Sequence, residues 1–161
     1  MTVSNSSPLI NFGAVQPFHL LQSLFENISI PQGVYNEIVV RGNGQAGASE
    51  VKKSHWIDVK RVNNVTLVTA LSEILDEGEA EAISLADELK ADVLLMDEHK
   101  GRAVALRLGI DVLGTIGILT LAKERKLLDS VKPVLDELIE KSGFWIGKEL
   151  YQNVLHSVNE M

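Results

Sequence analysis

Apolar positions follow two rhythms along the chain, short unbroken runs and repeats every three or four residues, and the two alternate. Val3-Ser4 closes a short extended segment. Ile28-Ser29-Ile30, residues 56–61, Val93-Leu94-Leu95-Met96 and residues 111–113 form others, and each reads as a strand. Helical spacing covers 16–26, 33–41, 67–75, 79–89, 101–108, 116–126, 131–141 and 148–158, with Gly109 stopping the fifth of these. Ser6-Ser7-Pro8 adds a helix start, with Ser7 as its cap and Pro8 in the first position. A run apolar throughout, like Val93-Leu94-Leu95-Met96, suits a parallel strand covered on both faces. The alternation predicts an α/β fold, a three-layer α/β/α sandwich with a mainly parallel central sheet and ligands at the carboxyl ends of its strands. The one linker-like segment, Arg41-Gly42-Asn43-Gly44-Gln45-Ala46-Gly47, reads as a surface loop within a single domain over 1–161, since too little chain precedes it to form another.

Composition narrows the class. A chain of 161 residues is long enough to bury a core without staples. The absence of cysteine excludes disulfide scaffolds, zinc–thiolate sites and thiol catalysis. The apolar runs fall far short of the ~18 residues a membrane span requires. Met1-Thr2-Val3-Ser4-Asn5 lacks the basic flank and apolar stretch of a secretory leader. The expectation is a soluble, cytoplasmic domain that contacts no membrane. Fifteen Lys+Arg against 22 Asp+Glu leave a net charge of −7, which argues against holding nucleic acid by bulk charge.

The positions of the acids change that picture. Asp97 and Glu98 follow the run ending at Met96, at the carboxyl end of a central strand, although Asp97 could equally cap the helix that follows. Glu79 shares a helix face with Ala82, Ile83 and Ala86 and so points toward the core, whereas Glu81 reads as an ordinary solvated acid. The plain alternative for Glu79 is a first-turn acid complementing the helix dipole. Glu37 lies one turn from Val34, and its plain alternative is an i,i+4 pair with Arg41. Asn5 ends the first strand and is followed by the hydroxyls of Ser6 and Ser7; it too could be only a turn residue. Each of these has a structural reading on its own. Together they converge on one edge of a parallel sheet and form an all-oxygen pocket, where crowded like charges call for a cation. Oxygen ligands without His or Cys point to Mg²⁺ or Mn²⁺, and such a site suits phosphoryl chemistry. Arg102 and Lys100 are the nearest cations in sequence and are candidates for a substrate phosphate. Lys52-Lys53, Lys60-Arg61 and the Lys123, Arg125, Lys126 group read as solvated faces that could guide a phosphate backbone.

These residues resemble the PIN-domain superfamily. The resemblance is carried by Val3-Ser4-Asn5-Ser6-Ser7-Pro8-Leu9-Ile10, Gly78-Glu79-Ala80-Glu81-Ala82-Ile83, Leu94-Leu95-Met96-Asp97-Glu98 with Arg102-Ala103, and Gly114-Thr115-Ile116-Gly117-Ile118-Leu119. The ending Gly143-Phe144-Trp145-Ile146 adds to a likeness with predicted nucleic-acid-binding PIN proteins of the VapC-like toxin type. The resemblance implies a metal-dependent endoribonuclease, the toxin of a toxin–antitoxin pair, with RNA as substrate, a small antitoxin as partner and a homodimeric state. It places Asn5, Glu37, Glu79 and Asp97 as catalytic metal ligands on Mg²⁺ or Mn²⁺, with Glu98 as an auxiliary. It also gives Ser6, Arg102 and Thr115 to the substrate. Two positions depart from the family pattern, since Asn5 and Glu79 each stand where an Asp is usual. Asn5 leaves room for a second reading, a weakened PIN module that binds RNA or protein without cutting. A receiver-like domain phosphorylated on Asp97 is disfavoured, because the first strand lacks an acidic pair.

Overall fold

A computed structural model describes all residues, Met1–Met161. Five short strands, β1 (Thr2–Ser4), β2 (Ile28–Pro31), β3 (Ile57–Lys60), β4 (Val93–Leu95) and β5 (Val112–Leu113), form one sheet in the order β3-β2-β1-β4-β5. Every pairing is parallel, so the expected mainly parallel sheet is wholly so. Thr2 sits opposite both Ile28 and Val93, which makes β1 the central strand. Parallel pairing also brings all five carboxyl ends to one edge, the edge where the acids were expected.

The helices fall where crossovers demand them. After β1 come α1 (Ser6–Gly13) and α2 (His19–Phe25); after β2 come α3 (Gln32–Tyr35), a π-helical turn at Asn36–Val40 and α4 (Ala48–Lys53). Beyond β3 lie α5 (Val65–Leu71) and α6 (Glu77–Leu89), and α7 (His99–Arg107) joins β4 to β5. The chain ends with α8 (Thr115–Glu124), α9 (Lys132–Lys141) and α10 (Lys148–Ser157). A single cluster of 34 buried apolar residues fills the space between sheet and helices, with Val3, Ile28, Ile30, Leu94 and Leu95 at zero exposure. Ala80, Ala82 and Ala86 are buried, and their small side chains let α6 lie close on the sheet.

Local chemistry explains where the pattern misled. The first helix begins at Ser6 with Asn5 in the extended cap position, so Ser7 is not the cap and Pro8 is third rather than first. The helix expected over 33–41 widens after Tyr35, where the Arg41 N–H donates to the Asn36 carbonyl at 2.8 Å, five residues back. Such π turns are rare and favour functional sites; this one carries Glu37. Periodicity gave no sign of α4, because six residues are too few to show a period. Glu81 is a correction as well. It is half-buried and accepts the Gly33 N–H at 3.3 Å, tying α6 to the start of α3. That approach depends on Gly33, whose Cβ would stand 2.5 Å from Glu81 Oε2.

Candidate active site at the carboxyl edge

Four chain segments meet where β1 and β4 end. Asn5 leaves β1 with its N–H on the Leu95 carbonyl at 2.9 Å, which fixes it beside the exit of β4. Its side chain then works in two directions. Nδ2 donates to Glu98 Oε2 at 3.0 Å, and Oδ1 faces the first turn of α6. Ser7 donates its hydroxyl to the other oxygen of Glu98. The amide at position 5 therefore answers the acid at position 98, and two carboxylates in this contact would repel. Ser6 stands differently: its hydroxyl is buried and has no partner. An unsatisfied buried polar group costs about 1–3 kcal/mol, and with its hydroxyl sealed beneath the edge Ser6 is not open to a substrate phosphate as the resemblance implied.

On α6, Asp76 and Glu79 form a reciprocal cap. The Glu79 N–H donates to Asp76 Oδ1 at 2.8 Å, and the Asp76 N–H donates to Glu79 Oε1 at 3.0 Å. Glu79 is buried, as its helix face predicted. Its second oxygen turns toward Gly101, 3.5 Å from where a Cβ there would stand. Burial raises the Glu79 pKa above its ordinary value, the Asp76 N–H opposes that, and the charges of Asp76 and Glu98 add to it.

Between α6 and the π turn the side-chain oxygens close around Gly78. A Cβ on Gly78 would have Glu37 Oε1 at 3.4 Å, Asp76 Oδ1 at 3.6 Å and Asn5 Oδ1 at 3.8 Å. Three oxygens from three segments thus surround a space floored by a residue without a side chain. Glu37 makes no ion pair with Arg41, so the pairing that would have explained it away is absent. Only two of these oxygens come from acids, and no trio of Asp, Glu, His or Cys side chains converges tightly anywhere in the chain. The donor set is nonetheless the hard, all-oxygen kind that suits Mg²⁺ or Mn²⁺.

Asp97 completes the edge from the other side. It does not cap α7, whose cap position is held by Glu98. Instead it reaches across to α8: Oδ1 accepts the Thr115 N–H at 2.7 Å and Oδ2 accepts the Thr115 hydroxyl at 2.7 Å. Asn11, from the buried side of α1, donates to Asp97 Oδ2 and to the Thr115 hydroxyl, each at 3.2 Å. Thr115 is fully buried and spends both donors on Asp97, so it stands behind that carboxylate and is not open to a phosphate. Arg102 and Asp97 lie over Gly114, with Arg102 Nη1 2.7 Å and Asp97 Oδ1 3.0 Å from the point a Cβ there would occupy. Burial raises the Asp97 pKa, the two Thr115 donors oppose it, Glu98 adds to it and Arg102 offsets part.

The structure thus gathers Asn5, Glu37, Glu79, Asp97 and Glu98 along one edge, in two groups joined by Asn5. Ser6 and Arg102 flank them. Sequence reasoning missed Asp76 and Asn11. The D-x-x-E spacing from Asp76 to Glu79 is a capping-box signature that was there to be read; nothing local marks Asn11. A concavity of about 1070 Å³ lies elsewhere, over the 43–46 loop and α4, and none of the predicted site residues lines it.

Two expectations follow. Asn5→Asp loses the donor to Glu98 and sets two carboxylates in contact, so the metal-free chain should melt at a lower temperature. Added Mn²⁺ should bind more tightly than in wild type, since the cation gains a charged donor, and calorimetry showing no gain would place Asn5 outside the site. The second concerns pH. A carboxyl raised on folding contributes stability that is complete below its unfolded pKa and is lost as pH rises through its folded value. For Asp97 that loss begins near its ordinary value of 3.8. The metal-free wild type should therefore lose thermal stability relative to Asp97→Asn as pH climbs from about 4 toward neutrality. Comparing the two proteins cancels the opposite slopes of Asp136 and Glu160, whose pKa values are lowered. A constant difference in melting temperature would contradict it.

No helix is long and apolar enough to cross a membrane. A search of curated proteins returns no match. A family model described as PIN domain matches residues 1–160, nearly the whole length of the chain. With the parallel α/β sheet and the acids gathered at its carboxyl edge, that match shows that the chain belongs to the PIN-domain family.

Proposed function

We propose that this protein is a metal-dependent endoribonuclease acting at the β1/β4 edge. The PIN-domain family carries the general expectation of nuclease chemistry. The observation that carries the finer reading is the oxygen cradle over Gly78 with Asp97 across from it. Asn5, Glu37 and Asp76 would hold Mg²⁺ or Mn²⁺, with Glu79, Asp97 and Glu98 supplying further oxygens. When bound, such an ion neutralises phosphate charge and acidifies water for in-line attack on the phosphodiester. Thr115 and Asn11 hold Asp97 in one orientation, so its carboxylate needs no rearrangement when substrate arrives. Arg102, which forms no ion pair, is placed to take a non-bridging phosphate oxygen.

The narrower reading, the toxin of a toxin–antitoxin pair with a small antitoxin and a second copy as partners, rests on the resemblance of the ordered motifs. Residues 1–161 are read as one domain on the strength of their one core. A second reading, a PIN module that binds without cutting, is favoured by the amide at Asn5 and the absence of a tight acid trio. One assay separates them. Purified protein is incubated with single-stranded RNA and Mg²⁺ or Mn²⁺, and EDTA should stop cleavage. RNA left intact with every divalent ion tried would favour the binding module.

A further inference from the structure

Past Asn5 the same edge continues for two more strands, where Gln32 follows β2 and Arg61 follows β3. One strand spacing sets Gln32 roughly 5 Å, and two set Arg61 roughly 10 Å, along the edge from Asn5. A separate cavity of about 370 Å³ opens there, walled by Val62, Val65 and Val68 and lined on its polar side by Gln32, Arg61 and Glu81. Three features of this cavity specify its ligand. Its walls are apolar, and Val65, 68% exposed, covers no core. Gln32 gives one N–H to Asn36 Oδ1 at 2.9 Å and keeps its carbonyl oxygen as an acceptor, while Glu81, held by the Gly33 N–H, adds a carboxylate. Arg61 is exposed and makes no ion pair.

We infer that this cavity seats one nucleobase of the substrate strand, next to a phosphate held by Arg61, and so sets the nucleotide preference of the edge. A base has two apolar faces for the valines and a polar edge for Gln32 and Glu81, and it is tethered to a phosphate. The Glu81 carboxylate can only accept, so with the Gln32 oxygen beside it the cavity favours a base whose edge carries an exocyclic amino group over uracil, whose edge is mostly carbonyl. The cavity's carboxylate likewise excludes a bare phosphate from the interior. The inference rests on the nuclease reading for its biological sense, and its test does not.

The full chain, free of metal and labelled with ¹⁵N, is titrated with AMP, GMP, CMP and UMP. Amide shifts should centre on Gln32, Gly33 and residues 61–68, with UMP bound at least fivefold more weakly than the best of the others. Val65→Glu adds an acid to the first turn of α5, a position that tolerates it, and should weaken binding tenfold or more. Gln32→Leu should narrow the spread among bases. Shifts elsewhere, no shifts, or four equal affinities at the cavity would overturn the inference, and a cavity that takes a peptide and no nucleotide would do the same. If wild type cleaves RNA and the titration fails, only the base pocket falls. If nucleotides fill the cavity and no divalent ion supports cleavage, the nuclease reading falls and the pocket stands.

Discussion

Asp97→Asn is expected to lower metal-dependent RNA cleavage by a hundredfold or more, a loss of about 2.7 kcal/mol in transition-state stabilisation, without unfolding the protein. The substitution keeps shape, and an asparagine oxygen can still accept the Thr115 N–H that now comes to Asp97 at 2.7 Å. What disappears is the negative charge, which burial already makes costly. The new amide nitrogen faces the Asn11 Nδ2 that now donates at 3.2 Å, so that bond is lost as the buried charge is relieved, and the metal-free variant should stay folded at neutral pH with a melting temperature near that of the wild type. That combination separates a site residue from a structural one, since a purely structural Asp97 would lose stability and activity together. Circular dichroism melting beside gel-resolved RNA cleavage measures both. Full activity in the variant would remove Asp97 from the chemistry.

Gly78→Ala should have the second largest effect, on metal affinity. The added methyl would lie 3.4–3.8 Å from the oxygens of Glu37, Asp76 and Asn5, ordinary contact distances that the fold can accept. Alanine also favours a helix over glycine by up to about 1 kcal/mol. The variant should thus melt at the same temperature as the wild type or higher. Yet the methyl puts an apolar group on the floor of the space an ion and its waters would use. Mn²⁺ affinity by calorimetry should fall tenfold or more, and cleavage should fall with it. Unchanged affinity would mean that the ion, if bound, sits away from Gly78.

Much of this was legible in the sequence because it depends on spacing. The run ending at Met96 placed Asp97 and Glu98 at a strand's carboxyl end, and the face shared with Ala82, Ile83 and Ala86 turned Glu79 inward; both hold. The mainly parallel sheet was read from the same alternation, and every pairing in it is parallel. Partners across the fold left no such trace. The Glu81 carboxylate looked solvated because its own helix face is polar, and it is the start of α3, 48 residues away, that covers it. Asp97 looked like a cap for the helix after it, whereas its partner is the helix after the next strand. The widened turn holding Glu37 and the short helix α4 depend on hydrogen bonds that a three-to-four-residue period does not encode. The departure at position 5 gained a reason only in three dimensions: the Asn5 amide joins the cradle to Glu98.

The central claim is that an ion sits at this edge, and a crystal grown with Mn²⁺ tests it most directly. An anomalous difference map should show one strong peak above Gly78, about 2.2 Å from oxygens of Glu37 and Asn5, with Asp76 or Asp97 completing the protein ligands. No peak at the carboxyl edge at millimolar Mn²⁺, or a peak only on a remote surface, would contradict it.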